Sequence, residues 1–438
     1  MFRAVLVFAV IWTAAISARA DDLPKIHIVS GFRVRGDSKL TDRTVGYLAH
    51  IKIGEVVTES MIPTLEQAMM SSELFETVKI TLEDGADGTT VVATLDDKHS
   101  WIIAPTAYVL GAAKAVGVGY VENNLFGMDR KVVLYGQLGN QTSLFFGTYL
   151  DPSVSGTPLI LRFDLYALHR NLDEYIDPQD NARSQDIART TAYTFLDAGA
   201  LVGWTFQWWL VTDFRLRGAY VYFRDPHDAQ GNPLASPEKD GWDITAQTHV
   251  TLDARHHLYG VTWGPYAQVV VENSVPGIDT YGYGDILARA YYSWRLFGEH
   301  ELEIRTNFGI GYHLPAHEEL SLGGESDLRG YELEQFRGDV RTLVRAEYSV
   351  PMFRYRWFSF RALGFYDNGY AGLHFTRNQD RDYLPTVSRG DSWIRSDVGA
   401  GLRVYLNNIV LPLLGFDYGY GLEGHGSEIY FEVGLTDF

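Results

Sequence analysis

The chain has 438 residues, no cysteine and a formal net charge of −18 at pH 7. Without cysteine it can form no disulfide bond and no thiolate metal site, and a thiol nucleophile is excluded. The acidic balance argues against nucleic acid as a partner, because binding to phosphates requires clusters of Lys and Arg. Aromatic residues make up 14% of the chain, which is typical of the aromatic girdles of membrane β-barrels.

The first twenty residues have the pattern of a secretory signal peptide. Arg3 supplies the positive charge, residues 4–16 form an apolar segment, and residues 18–20 (ARA) are a cleavage site of the A-x-A type. An apolar segment of this length is too short to span a bilayer. We therefore predict cleavage after Ala20 and export in a Gram-negative bacterium.

Residues 21–99 predict one small α+β domain. Alternating apolar residues indicate strands at 25–37, 78–82 and 91–95, the last two joined by a turn at 85–88. Apolar residues at helical spacing indicate helices at 41–50 and 60–71, with Pro63 tolerated in the first turn of the second. The predicted order of elements is β-α-α-β-β.

Residues 100–438 predict a transmembrane β-barrel. Apolar and polar residues alternate almost throughout; in residues 394–406, for example, Arg395, Asp397 and Arg403 share one face, opposite Val398 and Leu402. A soluble β-sandwich would explain one such strand, but many consecutive strands with charges on one face suit a wet lumen inside a lipid-facing wall. The count of sixteen strands is even, as in bacterial barrels.

The long connections support this architecture. They all follow odd-numbered strands and therefore lie on one side of the membrane, which is the outer side if the N-terminal domain is periplasmic. The last strand alternates and ends in Phe438, for which we predict a role as an assembly signal. The long connections are residues 171–188, 225–241, 273–283, 313–340 and 371–392. We call residues 313–340 loop six.

Three segments resemble the BamA-like outer-membrane assembly and two-partner-secretion superfamily. Residues 31–37 (GFRVRGD) and 74–80 (LFETVKI) are similar to strand motifs of its periplasmic POTRA domain. Residues 119–127 (GYVENNLFG) resemble a segment early in its barrels. The resemblance implies a single POTRA domain, although assembly factors usually carry several and secretion transporters two.

The most specific resemblance lies in loop six. Residues 323–331 (GGESDLRGY) are similar to the superfamily's signature loop, with Leu328 in place of the usual Val. The resemblance implies that loop six folds back into the barrel and that its Arg contacts acidic residues of the inner wall. The loop-six motif is Leu328, Arg329, Gly330 and Tyr331. The implied wall residues are Glu347, Phe365, Asp367, Gly369, Gly399 and Gly401, the two last leaving room for the loop.

Elementary electrostatics favours the same arrangement. An Arg inside a barrel lumen is partly desolvated and needs carboxylates within reach. By strand parity Glu347 and Asp367 face the lumen, and a guanidinium can bind two carboxylates at once. A loop Arg in water is the alternative for Arg329 considered alone.

Signals of catalysis are weak. The sequence has no G-x-S-x-G, no H-E-x-x-H and no phosphate-binding Gly-rich loop before a helix. His313 and His317 flank Pro315, which breaks the helical spacing of a metal site, so we interpret them, like His256 and His257, as solvated loop residues. We predict no enzyme, no cofactor and no metal.

Three functions remain open. The first is an outer-membrane protein that translocates a polypeptide or assembles barrels, receiving an extended client at the POTRA domain by β-augmentation. The second is a passive pore or structural surface protein with the same fold, and the third is an outer-membrane lipase or protease. The predicted partners are outer-membrane lipids and an unfolded polypeptide client, with the barrel itself monomeric.

Overall fold

The computed structural model describes residues 25–110, 113–176, 186–258, 261–356, 358–375, 382–384, 394–406, 411–423 and 426–433. The predicted signal peptide and Phe438 lie outside these residues. In the described part of the chain, no helix has both the length and the apolar character needed to cross a membrane.

The N-terminal domain is α+β, as predicted. Its sheet has the order β2-β1-β4-β3, with β1 and β4 parallel. The unpredicted strand is β2, whose three residues are too few to show an alternating pattern. The elements are β1 (Ile26–Asp37), α1 (Asp42–Leu48), β2 (Val56–Thr58), α2 (Ile62–Met70), β3 (Phe75–Gly85) and β4 (Gly88–Asp97).

The two helices cover one face of this sheet. Val45 of α1 and Met69 of α2 are fully buried against Val29, Ile80 and their neighbours in one apolar core. Burial of apolar side chains supplies most of the stability of such a small domain. The other face of the sheet and its edges therefore remain available to a partner.

Sixteen antiparallel strands close into a barrel, as predicted, when β13 is counted as the continuation of β12. The barrel begins four residues after the end of β4. Its strands are β5 (Trp101–Leu110), β6 (Ala113–Leu125), β7 (Arg130–Gly139), β8 (Thr142–Asp151), β9 (Leu159–Tyr175), β10 (Ile187–Gln207), β11 (Leu210–His227), β12 (Gly241–Asp253), β13 (His256–Leu258), β14 (Val261–Ser274), β15 (Gly284–Leu296), β16 (His300–Tyr312), β19 (Val340–Tyr355), β20 (Phe358–Gly372), β21 (Arg395–Leu406), β22 (Leu411–Gly421) and β23 (Ser427–Val433), while β17 (Leu320–Leu322) and β18 (Phe336–Gly338) form a hairpin in loop six.

Charged side chains face the lumen of the barrel. In β21, Asp397 and Arg403 are buried while Val398 and Leu402 are exposed on the outer surface. Distant strands repeat this alternation, with Asp164 buried in β9 between the exposed Phe163 and Leu165. The apolar outer face meets the requirement of a lipid-facing wall, and closure of the sheet lets neighbouring strands satisfy each other's backbone groups.

The long connections lie on one side of the barrel, because they follow β9, β11, β14, β16 and β20. The N-terminal domain contacts the opposite side, where the connections are short. The Thr41 backbone N–H donates to the Gly127 carbonyl at 2.9 Å, in the turn between β6 and β7. His50 stacks on Trp208, in the turn between β10 and β11, with ring centroids 4.9 Å apart.

Candidate functional site in loop six

Loop six lies inside the barrel. Leu322 of its β17–β18 hairpin packs with Leu328 and Tyr331 of the loop and with Leu343 of β19 in one buried apolar cluster. At the start of the tip, Gly323 and Gly324 have φ angles of +118° and +98°, a left-handed backbone conformation that side chains disfavour. This double turn directs residues 325–331 toward the wall.

Arg329 is fully buried at the tip of the loop. Its Nε and Nη2 donate to the two carboxylate oxygens of Asp367 at 2.8 and 3.0 Å, and its Nη1 donates to Glu347 at 2.9 Å. The guanidinium carbon lies 3.3 Å from the centroid of the Phe365 ring, so the Arg also makes a cation–π contact. The structure thus brings together Arg329 and three of the residues named from the sequence.

Two further carboxylates of the wall contact the motif and were not predicted. Asp417 of β22 lies 3.5 Å from Arg329 Nη1 and accepts from Arg403 at 2.7 and 2.8 Å. Asp397 of β21 accepts from the Gly330 backbone N–H at 3.0 Å. Strand parity could have identified them. Asp417, for example, shares the lumen face of β22 with Gly415, Gly419 and Gly421, because these residues are spaced two apart.

Glycines of the wall make room for these contacts, but in a different way from the prediction. A Cβ at Gly399 would overlap the Phe365 ring, and one at Gly401 would overlap the Asp417 carboxylate. Room for the loop backbone itself comes from Gly419, where a Cβ would overlap the Arg329 carbonyl. Gly369 lies beside Leu322 of the β17–β18 hairpin.

Tyr331 ties the tip of the loop to the last strands of the barrel. Its hydroxyl donates to Glu423 at 2.7 Å and lies 3.2 Å from the Ser396 carbonyl. Its own carbonyl accepts from the Tyr430 hydroxyl of β23 at 2.7 Å. Loop six is therefore connected to the strand that closes the barrel against β5.

The interpretation of His317 as a solvated residue is wrong, whereas His313 is exposed. The His317 side chain is 1% exposed, and its Nε2 lies 3.3 Å from Asp243. Together with Glu318 these residues have the spacing of a metal site. However, Arg217 Nη2 donates to both Asp243 and Glu318 at 2.8 Å, so a cation already neutralises this group and we assign no metal site to it.

The motif resemblance is supported by comparison with known proteins. A family model described as the Omp85 superfamily domain matches residues 124–436. No curated protein matches the sequence. Among solved structures, BamA from Haemophilus ducreyi lacking POTRA domains 1–3 has a TM-score of 0.57 and 13% identity, over 93% of this chain and 84% of that chain.

Two structures of CdiB are similar as well. CdiB from Escherichia coli has a TM-score of 0.62 and 14% identity, over 93% of this chain and 76% of that chain. CdiB from Acinetobacter baumannii has a TM-score of 0.56 and 14% identity, over 93% and 74%. These likenesses show a shared fold, and together with the family match they confirm the superfamily predicted from the motifs.

Proposed function

This chain belongs to the Omp85 superfamily, and on that premise we propose that it receives an extended polypeptide at its N-terminal domain and passes it across, or inserts it into, the outer membrane. Membership supports outer-membrane protein translocation or assembly as the general function, and it supports the prediction that the chain is not an enzyme. The finer proposal concerns where the client binds and how it reaches the membrane.

We interpret the N-terminal domain as a POTRA domain that lies in the periplasm. Its contact with the short turns of the barrel supports this orientation, since short turns face the periplasm and long loops face outward in outer-membrane barrels. The signal peptide before this domain and the signal at Phe438 remain predictions, as do a monomeric barrel and the boundary near residue 99.

We propose the edge strand β2 as the binding site for the client. Among the described residues it pairs with β1 on one side, and no strand of this part of the chain lies on its other side. Beside this edge Ile26, Ile28, Ile53 and Val56 are all more than half exposed. An extended client can add a strand to such an edge, with backbone hydrogen bonds giving affinity and the apolar side chains favouring alternating sequences.

We propose that the client continues to the junction of the first and last strands. In the described part of the chain, Tyr430–Val433 of β23 pairs with Ala107–Leu110 of β5. A cavity of about 310 Å³ lies on the lumen side of this junction. It is lined in part by Tyr108, Tyr135, Gln137, Arg170, Leu333 and Glu432. Loop six contributes Leu333, so its position and the shape of the cavity are linked.

The passive pore is the less favoured alternative, because loop six is bonded to several strands across the lumen and reduces the open section. An outer-membrane lipase or protease is not favoured by any observation on the site. The loop-six residues are arranged to hold the loop. Asp367, Glu347 and Asp417 each bind a guanidinium, and Asp397 binds a backbone N–H.

Photo-cross-linking to a supplied client tests the proposal. A photoreactive amino acid replaces Val56 on the β2 edge, or Thr77 on the opposite edge strand β3 as the control. The full-length chain in lipid vesicles then receives either a denatured barrel polypeptide or a denatured secreted β-helical polypeptide. We expect cross-links from position 56 only, and the polypeptide captured distinguishes insertion from secretion. Equal cross-linking at both positions, or none, would count against client binding at β2.

A further inference from the structure

The first half of loop six packs against a part of the barrel wall far from the Arg329 site. Leu314, Ala316 and Leu320 of the loop are buried in an apolar cluster with wall residues. Those wall residues are Leu168 and Leu172 of β9, Tyr193 of β10, Val221 and Phe223 of β11, and Tyr281 and Tyr283 before β15. This contact is apolar and gives the loop segment affinity for the wall without fixing its orientation.

Arg217 of β11, whose side chain is 10% exposed, fixes the orientation of this loop segment. Arg217 Nη2 donates to Glu318 of the loop and to Asp243 of β12, both at 2.8 Å, and lies 2.9 Å from the Tyr283 hydroxyl. Arg217 also lies 3.3 Å from Glu272 of β14. Because the guanidinium has several donors in a fixed plane, it can hold three strands of the wall and the loop in one geometry.

His317 completes the contact on the loop side. Its ring lies between three aromatic rings, with centroid distances of 5.1 Å to Tyr281, 5.7 Å to Phe223 and 6.4 Å to Tyr193. Its Nε2 faces Asp243, the same carboxylate that Arg217 binds. Two consecutive loop residues, His317 and Glu318, thus contact one group of wall residues around Arg217, which we call the Arg217 node.

This node is separate from the Arg329 site. Arg217 belongs to β11, whereas Asp367 belongs to β20, and five strands (β12, β14, β15, β16 and β19) lie between them in the ring. None of the residues that bond to Arg217 bonds to Arg329 among the described contacts. Loop six therefore crosses the lumen between two wall regions, one around Arg217 and one around Arg329, and its Glu334 also pairs with Arg170 of β9 at 2.9 Å.

We propose that Arg217 and Glu318 form a second attachment of loop six, that this attachment is released independently of the one at Arg329, and that its release opens the lumen to small solutes. Arg217 acts here as a positioning residue for the loop. The proposal concerns the conformation of the loop and does not depend on which polypeptide the protein handles. Failure of the client experiment would therefore leave it standing.

Glu318→Gln is the variant of choice. It removes the charge on the loop side and leaves Arg217 paired with Asp243 and Glu272, so no buried charge is left alone and the barrel is expected to fold. The matched control is Glu299→Gln, which removes a carboxylate in the turn after β15 that is paired with Arg354. Arg217→Lys keeps one charge without the planar set of donors and should give an intermediate result.

Thiol labelling reads each attachment separately, because the chain contains no cysteine. Ala316→Cys reports the first half of the loop and Leu328→Cys reports the motif, and both positions are fully buried. We expect Glu318→Gln to speed maleimide labelling at position 316 at least tenfold and at position 328 less than twofold. Swelling of vesicles in a small sugar should also become faster. Glu299→Gln should change none of these rates.

Any of three results would overturn the proposal. The first is equal acceleration at positions 316 and 328, which would make the loop a single cooperative unit. The second is no acceleration at position 316, and the third is unchanged sugar entry. If Glu318→Gln gives no folded barrel, hydrogen exchange of the unaltered chain decides. Separate release requires different exchange rates for the amides of residues 316–320 and 328–331, and identical rates would refute it.

Discussion

The contacts of Arg329 replace most of the hydrogen bonds that its guanidinium would make with water. A fully buried guanidinium is tolerated only when carboxylates and other acceptors surround it. Here Asp367 takes two of its N–H groups and Glu347 a third, while Phe365 covers its face. These contacts specify one position of the loop tip, which apolar packing alone would leave less defined.

Arg329→Ala should leave the barrel formed but destabilise the position of loop six. The substitution leaves Asp367 and Glu347 near each other without their shared cation, and breaking a buried pair in this way costs about 3–5 kcal/mol. We expect a lower melting temperature in detergent and faster labelling of a cysteine at position 328. Arg329→Lys should restore part of the loss, because an ammonium cannot bind both oxygens of Asp367 in one plane.

A double-mutant cycle assigns this energy to the pairs. The cycle combines Arg329→Ala with Asp367→Asn, and separately with Glu347→Gln. We expect a larger coupling energy with Asp367, which accepts two hydrogen bonds, than with Glu347, which accepts one. Coupling within about 0.3 kcal/mol of zero for both pairs would mean that Arg329 does not hold the loop.

Glu73 should make the N-terminal domain less stable as the pH rises. Burial raises its pKa from 4.5 to about 7, and Lys98 and Lys131 offset part of this rise. The folded state therefore binds the proton more tightly than the unfolded state. The contribution of this group to stability is greatest below pH 4.5 and falls until about pH 7.

Glu73→Gln should remove this pH dependence and stabilise the domain at pH 8. The gain is at most about 3 kcal/mol, and less because the side chain is only partly buried. Pulse proteolysis of the full-length chain in urea, at pH 5 and pH 8, measures it. Glu76→Gln at an exposed neighbouring position is the control. A gain of the same size at both pH values would show that titration of Glu73 is not the cause.

At the scale of elements, the turn between β6 and β7 joins the barrel to the N-terminal domain. It contains the end of the GYVENNLFG segment, and Asn124 shapes it by accepting from the Asp129 backbone N–H at 3.0 Å. The Gly127 carbonyl accepts from Thr41, just before α1. Gly127 has a φ of +68°, and a Cβ there would overlap the Lys39 carbonyl.

Gly127→Ala should therefore loosen the contact between the two domains. A positive φ costs a residue with a Cβ about 1–2 kcal/mol, and the overlap with Lys39 adds to this cost. Spin labels at positions 76 and 297, one in each domain, should show a broader distance distribution while the barrel stays folded. Gly231→Ala is the matched control, since Gly231 has a φ of +81° with no atom near the added Cβ. An unchanged distribution would mean that this turn does not hold the domain.

The alternation of apolar and polar residues made most strands predictable from the sequence. The contacts within the site were harder to predict. Alternation over 394–406 was enough to assign faces, because each strand is buried on one side and lipid-facing on the other. The three residues of β2 carry no period, so that strand could not be predicted. His317 was misjudged because a loop has no period at all, and its burial depends on rings contributed by β10, β11 and the segment before β15.

The carboxylates of the inner wall were also only partly predictable from the sequence. Parity placed Glu347 and Asp367 toward the lumen, but parity does not tell which inward carboxylates lie at the same height. Asp417 and Asp397 are as inward as Asp367. The register places Asp397 opposite Asp367, whereas Asp417 lies opposite Gly401 and uses the space that this glycine leaves. Register depends on hydrogen bonding between strands and is not readable from one strand alone.

At the scale of the whole molecule, the long connections are themselves joined above the barrel. Arg189 of β10 is fully buried and binds Glu174 of β9. It also donates to the Ala235 carbonyl at 2.9 Å and to the Asp382 carboxylate at 2.8 Å. Asp382 in turn donates its backbone N–H to the Pro237 carbonyl at 3.1 Å. One guanidinium thus connects the ends of β9 and β10 to the long connections that follow β11 and β20.

Arg189→Gln should free these two connections from each other without opening the barrel wall. Glu174 would lose its contact with the Arg189 guanidinium, and breaking a buried ion pair costs about 3–5 kcal/mol, enough to shift the connections toward released conformations. Because these connections are proposed to face outward, a protease added to intact cells should cut within residues 228–240 at least tenfold faster. Arg224→Gln is the control, since Arg224 is an exposed arginine at the end of β11 that pairs with Asp240. Unchanged cleavage in both variants would show that Arg189 does not hold the connections, whereas cleavage only after cell lysis would reverse the proposed orientation.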